Sequence, residues 1–403
     1  METLHPSRPG ARRTPSPLFS ALALVALQGC AAATPASVTP SARTTAPARA
    51  DTGTTVITAT DGGTPIELFD RAKRLFLEEK YKEAAELFDL VQRGEPDGRL
   101  APMAMYQAGL SYEALGDRET ALARFAGLVQ AYPKDPIQKL ALLRQTRLLT
   151  ALERWADVGR IADVLLARAD LTVAETIEAK GAKGLGLVES GDIEGANRQV
   201  EDSRTLMEKH HLGESGKISH EVAQVYFALG EVRRKRSEAI VFDPLPPNFG
   251  DAFERRAQGL LDAQSAYTDA MRTTDVAWAT MAGYRVGELY QALHRDVMSA
   301  KFPTVAKTTK DRQLFEGAMR LRYRILLEKG LKMMTSTVGM TDRLGETSAW
   351  STRARDAKAS IEKALAAENT AIGKLPISEA DLKKLLDDLQ AKRDVDRAKP
   401  TTP

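Results

Sequence analysis

Four short stretches hold residue types that chemistry requires. His220-Glu221-Val222-Ala223-Gln224 begins like a zinc-hydrolase helix, where two histidines one turn apart share a metal and the glutamate activates water. Gln224 stands where the second histidine must be, so the ligand pair is missing. Gly213-Glu214-Ser215-Gly216-Lys217 has the composition of a phosphate-cradling loop without its spacing, and Ile218 replaces the metal-binding hydroxyl. Gly181-x-x-Gly184-x-Gly186 lies in a helical pattern, not after a strand, which points to close helix packing and not to a pyrophosphate. Ser360-Ile361-Glu362-Lys363 has the S-x-x-K spacing of serine acyltransferases without their companion motifs. His210, His211 and His220 read as a loop between helical units, not as a metal site. No catalytic residue, metal site, cofactor or small-molecule substrate follows from these stretches.

The charge balance narrows the partners. Residues 1–29 carry Arg8, Arg12, Arg13 and Glu2; without them the chain holds 54 basic and 53 acidic side chains. That balance gives no electrostatic case for nucleic acid, and no aromatics interleave with the bases to stack on it. The run Arg233–Arg236 suits lipid phosphates or an acidic partner, or else a solvated helix end. Aromatics are 6% of the chain and Ala, Leu, Arg and Glu abound, which favours helices over strands.

The elements repeat. Ala72-x-x-Leu75 recurs as Gly109-x-x-Tyr112 and Thr146-x-x-Leu149 at 37-residue steps, then as Gly184-x-x-Leu187 and Ala223-x-x-Tyr226 at 38 and 39. The turns Glu79–Ala84, Gly116–Ala121, Glu153–Val158 and Gly191–Ala196 align with them. Second helices carry Ala84/Phe88/Val91, Ala121/Phe125/Leu128, Val158/Ala162/Leu165 and Ala196/Val200/Ser203. A small residue lets two helix backbones approach, and the large one fills the space beside it. Such a hairpin cannot bury its apolar face alone and needs neighbours of its own shape.

These residues, with Pro96 and Pro133 closing the first two units, resemble the tetratricopeptide repeat family, and its outer-membrane lipoprotein type found in β-barrel assembly and Tol-associated division coordination. The resemblance implies an all-α fold, a right-handed α-solenoid of helical hairpins, whose partners are proteins. The family's lining positions correspond here to Phe69 and Lys73, Tyr106 and Leu110, and Leu143 and Arg147. That aromatic–cationic mixture suits a peptide segment bearing a carboxylate. The same side chains are internal if the C-terminal helices cover them.

Beyond the repeats, the proline-rich Phe242–Gly250 breaks the chain, and helices are expected over about 251–271, 275–300 and 311–343, the last capped by Gly345. A further array helix is expected over 348–367, and a short amphipathic one begun by Ser378 and Asp381, with Leu382, Leu385, Leu386 and Leu389 on its apolar side. The expected domains are a signal peptide at 1–29, a disordered tether at 30–64, a solenoid at 65–240, a break at 241–250, a helical region at 251–367 and a tail at 368–403.

The N-terminal segment supplies an address. A basic start precedes Leu18–Leu27, an apolar stretch too short to span a bilayer. It ends Leu27-Gln28-Gly29-Cys30, which resembles the lipobox of bacterial lipoproteins, and Cys30 is the only cysteine. The resemblance implies acylation of Cys30 and, with Ala31 next, anchoring on the periplasmic face of the outer membrane. Cleavage within Ala31-Ala32-Ala33 is the alternative and would leave a soluble periplasmic adaptor. The expected function is a non-catalytic, lipid-anchored interaction scaffold in an envelope assembly, motility or secretion machine. An all-helical envelope enzyme is the competing class and would require carboxylates or histidines converging in one pocket.

Overall fold

The computed structural model describes residues 63–212, 219–273, 275–302 and 308–398. The segment expected as a signal peptide, residues 30–62 of the expected tether with Cys30, and the Gly213–Lys217 stretch lie outside them. Every regular element among the described residues is an α-helix, fourteen in all. They fall into two compact units that divide within the ninth helix, after Ala228.

The first unit consists of hairpins. α1 (Pro65–Leu77) pairs with α2 (Tyr81–Gly94), α3 (Ala101–Ala114) with α4 (Arg118–Ala131), α5 (Ile137–Ala151) with α6 (Trp155–Leu166), and α7 (Val173–Ser190) with α8 (Ile193–Lys209). α9 (His220–Glu238) follows and lies against α7, where Gln224 Nε2 reaches the Glu178 carbonyl. Local chemistry sets the ends. Thr64/Glu67 and Thr172/Glu175 form reciprocal capping boxes, while Asp117 and Asp192 accept from the backbone amides of Thr120 and Gly195.

The four hairpin turns share one backbone device. Glu79, Gly116, Glu153 and Gly191 occupy equivalent positions, and all have positive φ, at 61°, 81°, 58° and 86°. In the first three the next amide closes back onto the helix: Lys80 to Leu75, Asp117 to Tyr112 and Arg154 to Leu149. This is the left-handed helix ending that glycine adopts without strain and glutamate does not.

The small residues sit as their spacing predicts. A Cβ on Gly109 would meet the Phe125 ring at 2.6 Å, and one on Gly184 would meet Val200 at 3.3 Å. Ala72 and Thr146 are buried at the same register. The second-helix residues Ala84, Phe88, Ala121, Phe125, Leu128, Val158, Ala162, Leu165, Ala196, Val200 and Ser203 are fully enclosed. The three glycines of α7 face three helices: Gly181 meets Val225 of α9, Gly184 meets Val200 of α8, and Gly186 meets the backbone of Gly159 on α6. Their role is therefore helix packing.

The second unit holds the rest of α9 with α10 (Phe249–Met271), α11 (Val276–Ser299), α12 (Thr309–Leu344), α13 (Ala349–Gly373) and α14 (Glu379–Ala398). α10 starts two residues earlier than the proline-rich break suggests, because a helix can form as soon as Pro247 is passed. α13 runs six residues past the expected 367 before Lys374. Gly345 takes φ 66° and ends α12 as its C-cap. α11 and α12 pack through a glycine seam, with Gly283 on Thr337 and Gly287 on Met334. α14 lays the buried Leu382 against Gly317 of α12, and Arg324 of α12 holds Glu379 at 2.8 Å.

Candidate functional site

The first helices of the hairpins carry the six residues expected to line a groove. At 100° per residue, positions one after and three before the small residue point within about 40° of each other, so each pair shares a helix face. The structure gives the six different surroundings. Lys73 is exposed. Phe69 is half-buried, its ring edge-on to Phe88 at 5.2 Å, and Tyr106 is half-buried with its ring 5.5 Å from Phe125. Leu110 is half-buried, and Leu143 is 7% exposed and belongs to the core.

Arg147 already has a carboxylate. Its Nε donates to Glu178 Oε1 at 2.7 Å and its Nη2 to Glu178 Oε2 at 2.8 Å, a bidentate pair between α5 and α7. Glu221 of α9 lies 3.8 Å from the same guanidinium, and Arg144 on the next turn holds Glu113 of α3 at 3.4 Å. The Glu178 bond is the main cause that pushes the Arg147 guanidinium further up, beyond its already high range. A chain of ion pairs thus links α3, α5, α7 and α9. On the far side of the hairpins, Asp89 of α2 accepts two bonds from Arg124 of α4, at 2.8 and 2.7 Å, and one from the Tyr112 hydroxyl of α3 at 3.2 Å.

Three residues outside that set complete the face. Ile66, Met103 and Leu140 each lie six positions before the small residue of their unit, at intervals of 37. That offset places them within about 20° of Lys73, Leu110 and Arg147 respectively. They are 65%, 42% and 42% exposed, among the most exposed large apolar side chains of the first unit. The alignment that finds Ala72, Gly109 and Thr146 already contains them; the missing signal is exposure, because apolar residues at helical spacing read by default as core. In the fourth hairpin the same offset falls on Glu178, which is 1% exposed beneath α9. The apolar row ends there.

The other sequence candidates are structurally placed as well. Gln224, at the missing zinc-ligand position, is 1% exposed and donates to the Glu178 carbonyl. Ser360 accepts from Gln291 of α11, and Lys363 points outward. His210 and His211 are exposed at the end of α8. Among the described residues no group of three or more His, Cys, Asp or Glu is arranged to hold a metal ion, and no helix is long and apolar enough to cross a membrane. In the run Arg233–Arg236, Arg233 donates to the Asp262 carbonyl and Arg234 bridges Glu231 and Glu238, so both are engaged by the protein itself.

The second unit has a cavity of about 600 Å³ walled by α9, the 239–248 loop, α10 and α11. Its carboxylates are all held by cations: Glu238 by Arg234, Glu288 by Arg285, Asp296 by Arg256 and Asp243 by Lys301. These pairs tie the walls together. Beside it Glu231 is 5% exposed, accepts from the Tyr267 hydroxyl at 2.7 Å, and lies 2.9 Å from Arg285. Burial pushes its carboxyl up, but Arg285, Arg234 and Tyr267 together outweigh that and hold it below the usual range.

No protein-family profile and no curated protein matches the chain. Its structural neighbours are tetratricopeptide repeat proteins. A tetratricopeptide repeat protein from Parabacteroides merdae is 13% identical, with 73% of this chain and 100% of that chain covered and a TM-score of 0.38. MamA from Desulfovibrio magneticus is 16% identical, with 50% and 97% covered and a TM-score of 0.33. Yeast Tom70 is 12% identical, with 81% and 69% covered and a TM-score of 0.28.

Proposed function

We propose that this protein is a non-catalytic scaffold that binds other proteins through the first-helix face of α1, α3 and α5. It is held by lipid on Cys30 at the periplasmic face of the outer membrane, and its partners are periplasmic or outer-membrane proteins of an envelope assembly, motility or secretion machine. One observation carries the binding face: Ile66, Met103 and Leu140 are exposed at the same position of three successive units. Water-exposed apolar side chains repeated in register mark a surface that another molecule covers. The address rests on the sequence Leu18–Cys30.

Two experiments test the reading. Met103→Asp together with Leu140→Asp leaves the helical content unchanged and abolishes specific envelope crosslinks; unchanged crosslinks would remove the face. Labelled palmitate enters the wild type and not Cys30→Ser, and that variant leaves the outer-membrane fraction. A Cys30→Ser protein that still fractionates with the outer membrane defeats the anchor.

A further inference from the structure

The last helix, α14, holds to the second unit by little, and the hold is specific. It lies apart from the first-helix face proposed above and does not depend on it. Among the side chains described for α14, Leu382 alone is buried; Leu385 and Leu386 are half-buried and the others exposed. By contrast α13 buries Trp350, Ala354, Ile361 and Ile372. A helix the length of α14, 20 residues, is marginal by itself in water, so it depends on its seat. The linker before it, 374–378, has Lys374, Pro376 and Ser378 exposed. A cavity of about 360 Å³ lies beside that linker, lined by Ile372, Leu375, Ile377 and Glu379 among others. A void of that size means the hinge of α14 is not close-packed.

The seat is shaped for one pattern. Gly317 leaves a hole in the surface of α12: a Cβ there would stand 2.7 Å from Leu375 and 3.0 Å from Leu382, so leucine fills the space. Two turns along α12, Arg324 grips Glu379 with both ends of its guanidinium, Nη2 to Oε1 at 2.8 Å and Nη1 to Oε2 at 3.3 Å. A leucine in a hole and a carboxylate in a clamp three positions before it are features of recognition. A helix that only sealed the end of the array would need a broad apolar face instead. We propose that α14 is an autoinhibitory self-ligand on a seat that receives an amphipathic helix of a partner protein, one with an acidic residue three positions before a leucine. The short linker keeps α14 at an effective concentration of about millimolar, so a free helix of equal strength is shut out until α14 lifts.

The test uses the full chain and a fluorescein-labelled peptide of residues 377–398, read by anisotropy. The wild type is expected to bind the peptide weakly. The full chain with Leu382→Asp, which lifts α14 from its seat, binds it about tenfold or more tightly. Adding Arg324→Glu to that chain removes the gain, and the peptide with Glu379→Arg restores it. Hydrogen exchange reads the latch in the wild type: amides of 379–398 exchange faster than those of 309–344. Equal binding by the wild type and Leu382→Asp, failure of the reversed charges to restore binding, or equal protection of both helices overturns the proposal. So does a Leu382→Asp chain in which the whole second unit loses its fold, because α14 would then be a structural cap. A photocrosslinking residue at Ile325, 42% exposed and next to Arg324, reads the partner. In envelopes, crosslinks to the Leu382→Asp chain that the peptide competes away support the seat; absent or uncompeted crosslinks overturn it. Dimers of the wild type that grow with concentration and are lost on Leu382→Asp assign the seat to a second copy and overturn the partner helix.

Discussion

Glu79 and Glu153 hold backbone angles that their equivalents Gly116 and Gly191 hold without strain. Left-handed geometry costs a side-chain-bearing residue about 1–2 kcal/mol, partly offset by the freedom glycine loses on folding. Glu79→Gly and Glu153→Gly are each expected to raise stability by about 0.5–1 kcal/mol, and Gly116→Ala to lower it by a similar amount, read from urea midpoints. The turn positions were legible in the sequence, because four copies align; the strain was not, because glutamate there gives no local sign of it. At the other extreme, Glu231 joins α9 to α10 and α11 through Tyr267 and Arg285. Glu231→Ala leaves Arg234 and Arg285 each with one carboxylate in place of two and takes the acceptor from the Tyr267 hydroxyl, at a cost of about 2–4 kcal/mol, while Tyr267→Phe costs about 1.5–3 kcal/mol. Two titrations separate by pH. Burial pushes the His294 imidazole down, Glu368 pulls it back only in part, and Arg320 adds to the lowering. The unfolded chain therefore takes that proton first, and stability falls as pH drops below about 6.5, an effect that His294→Gln removes. The Glu231 carboxyl is shifted down, so its contribution is complete above about 4.3 and fades as pH falls through its lower folded value. Glu231→Gln removes that second loss, and thermal melts from pH 3 to 7.5 distinguish the two.

Helices place these residues, and glycines set how closely the helices approach. Gly186 and Gly159 meet backbone to backbone, with 2.5 Å available to a Cβ on Gly186. Gly186→Ala is expected to push α7 from α6 and cost about 1–3 kcal/mol. Gly339 lies inside α12 with nothing within 4 Å of a Cβ, so Gly339→Ala gains about 0.5–1 kcal/mol. Both are checked by the same denaturation series. The opposite signs follow from neighbours, not from propensity. Helix existence and the small-residue contacts were legible in the sequence because the 3.6-residue period and the repeat interval reinforce each other. The bond from Arg147 to Glu178 was not legible. Those residues lie 31 apart on different helices, and only the packed register of α5 on α7 decides that they meet. For the same reason the face read as cationic in sequence and is internally balanced in the structure.

At the scale of the molecule, each helix of the first unit packs chiefly on those next to it in sequence. Stability in such an assembly is a sum of local interfaces, so α1 and α2, with neighbours on one side, open before α5–α7 do. Hydrogen exchange tests this: amides of 65–94 should exchange faster than those of 137–190, and equal protection of both segments would show a single cooperative block. One consequence follows from the even interval between Ile66, Met103 and Leu140. A face built from identical steps is a ruler: its reach is counted in whole units. Duplicating the unit from Pro102 to Gln138 adds one mark, and the segment that fits the lengthened protein should grow by one step. Deleting that unit shortens the fit by the same step. Length preference in the partner is thus set by copy number, and could be tuned without altering any contact.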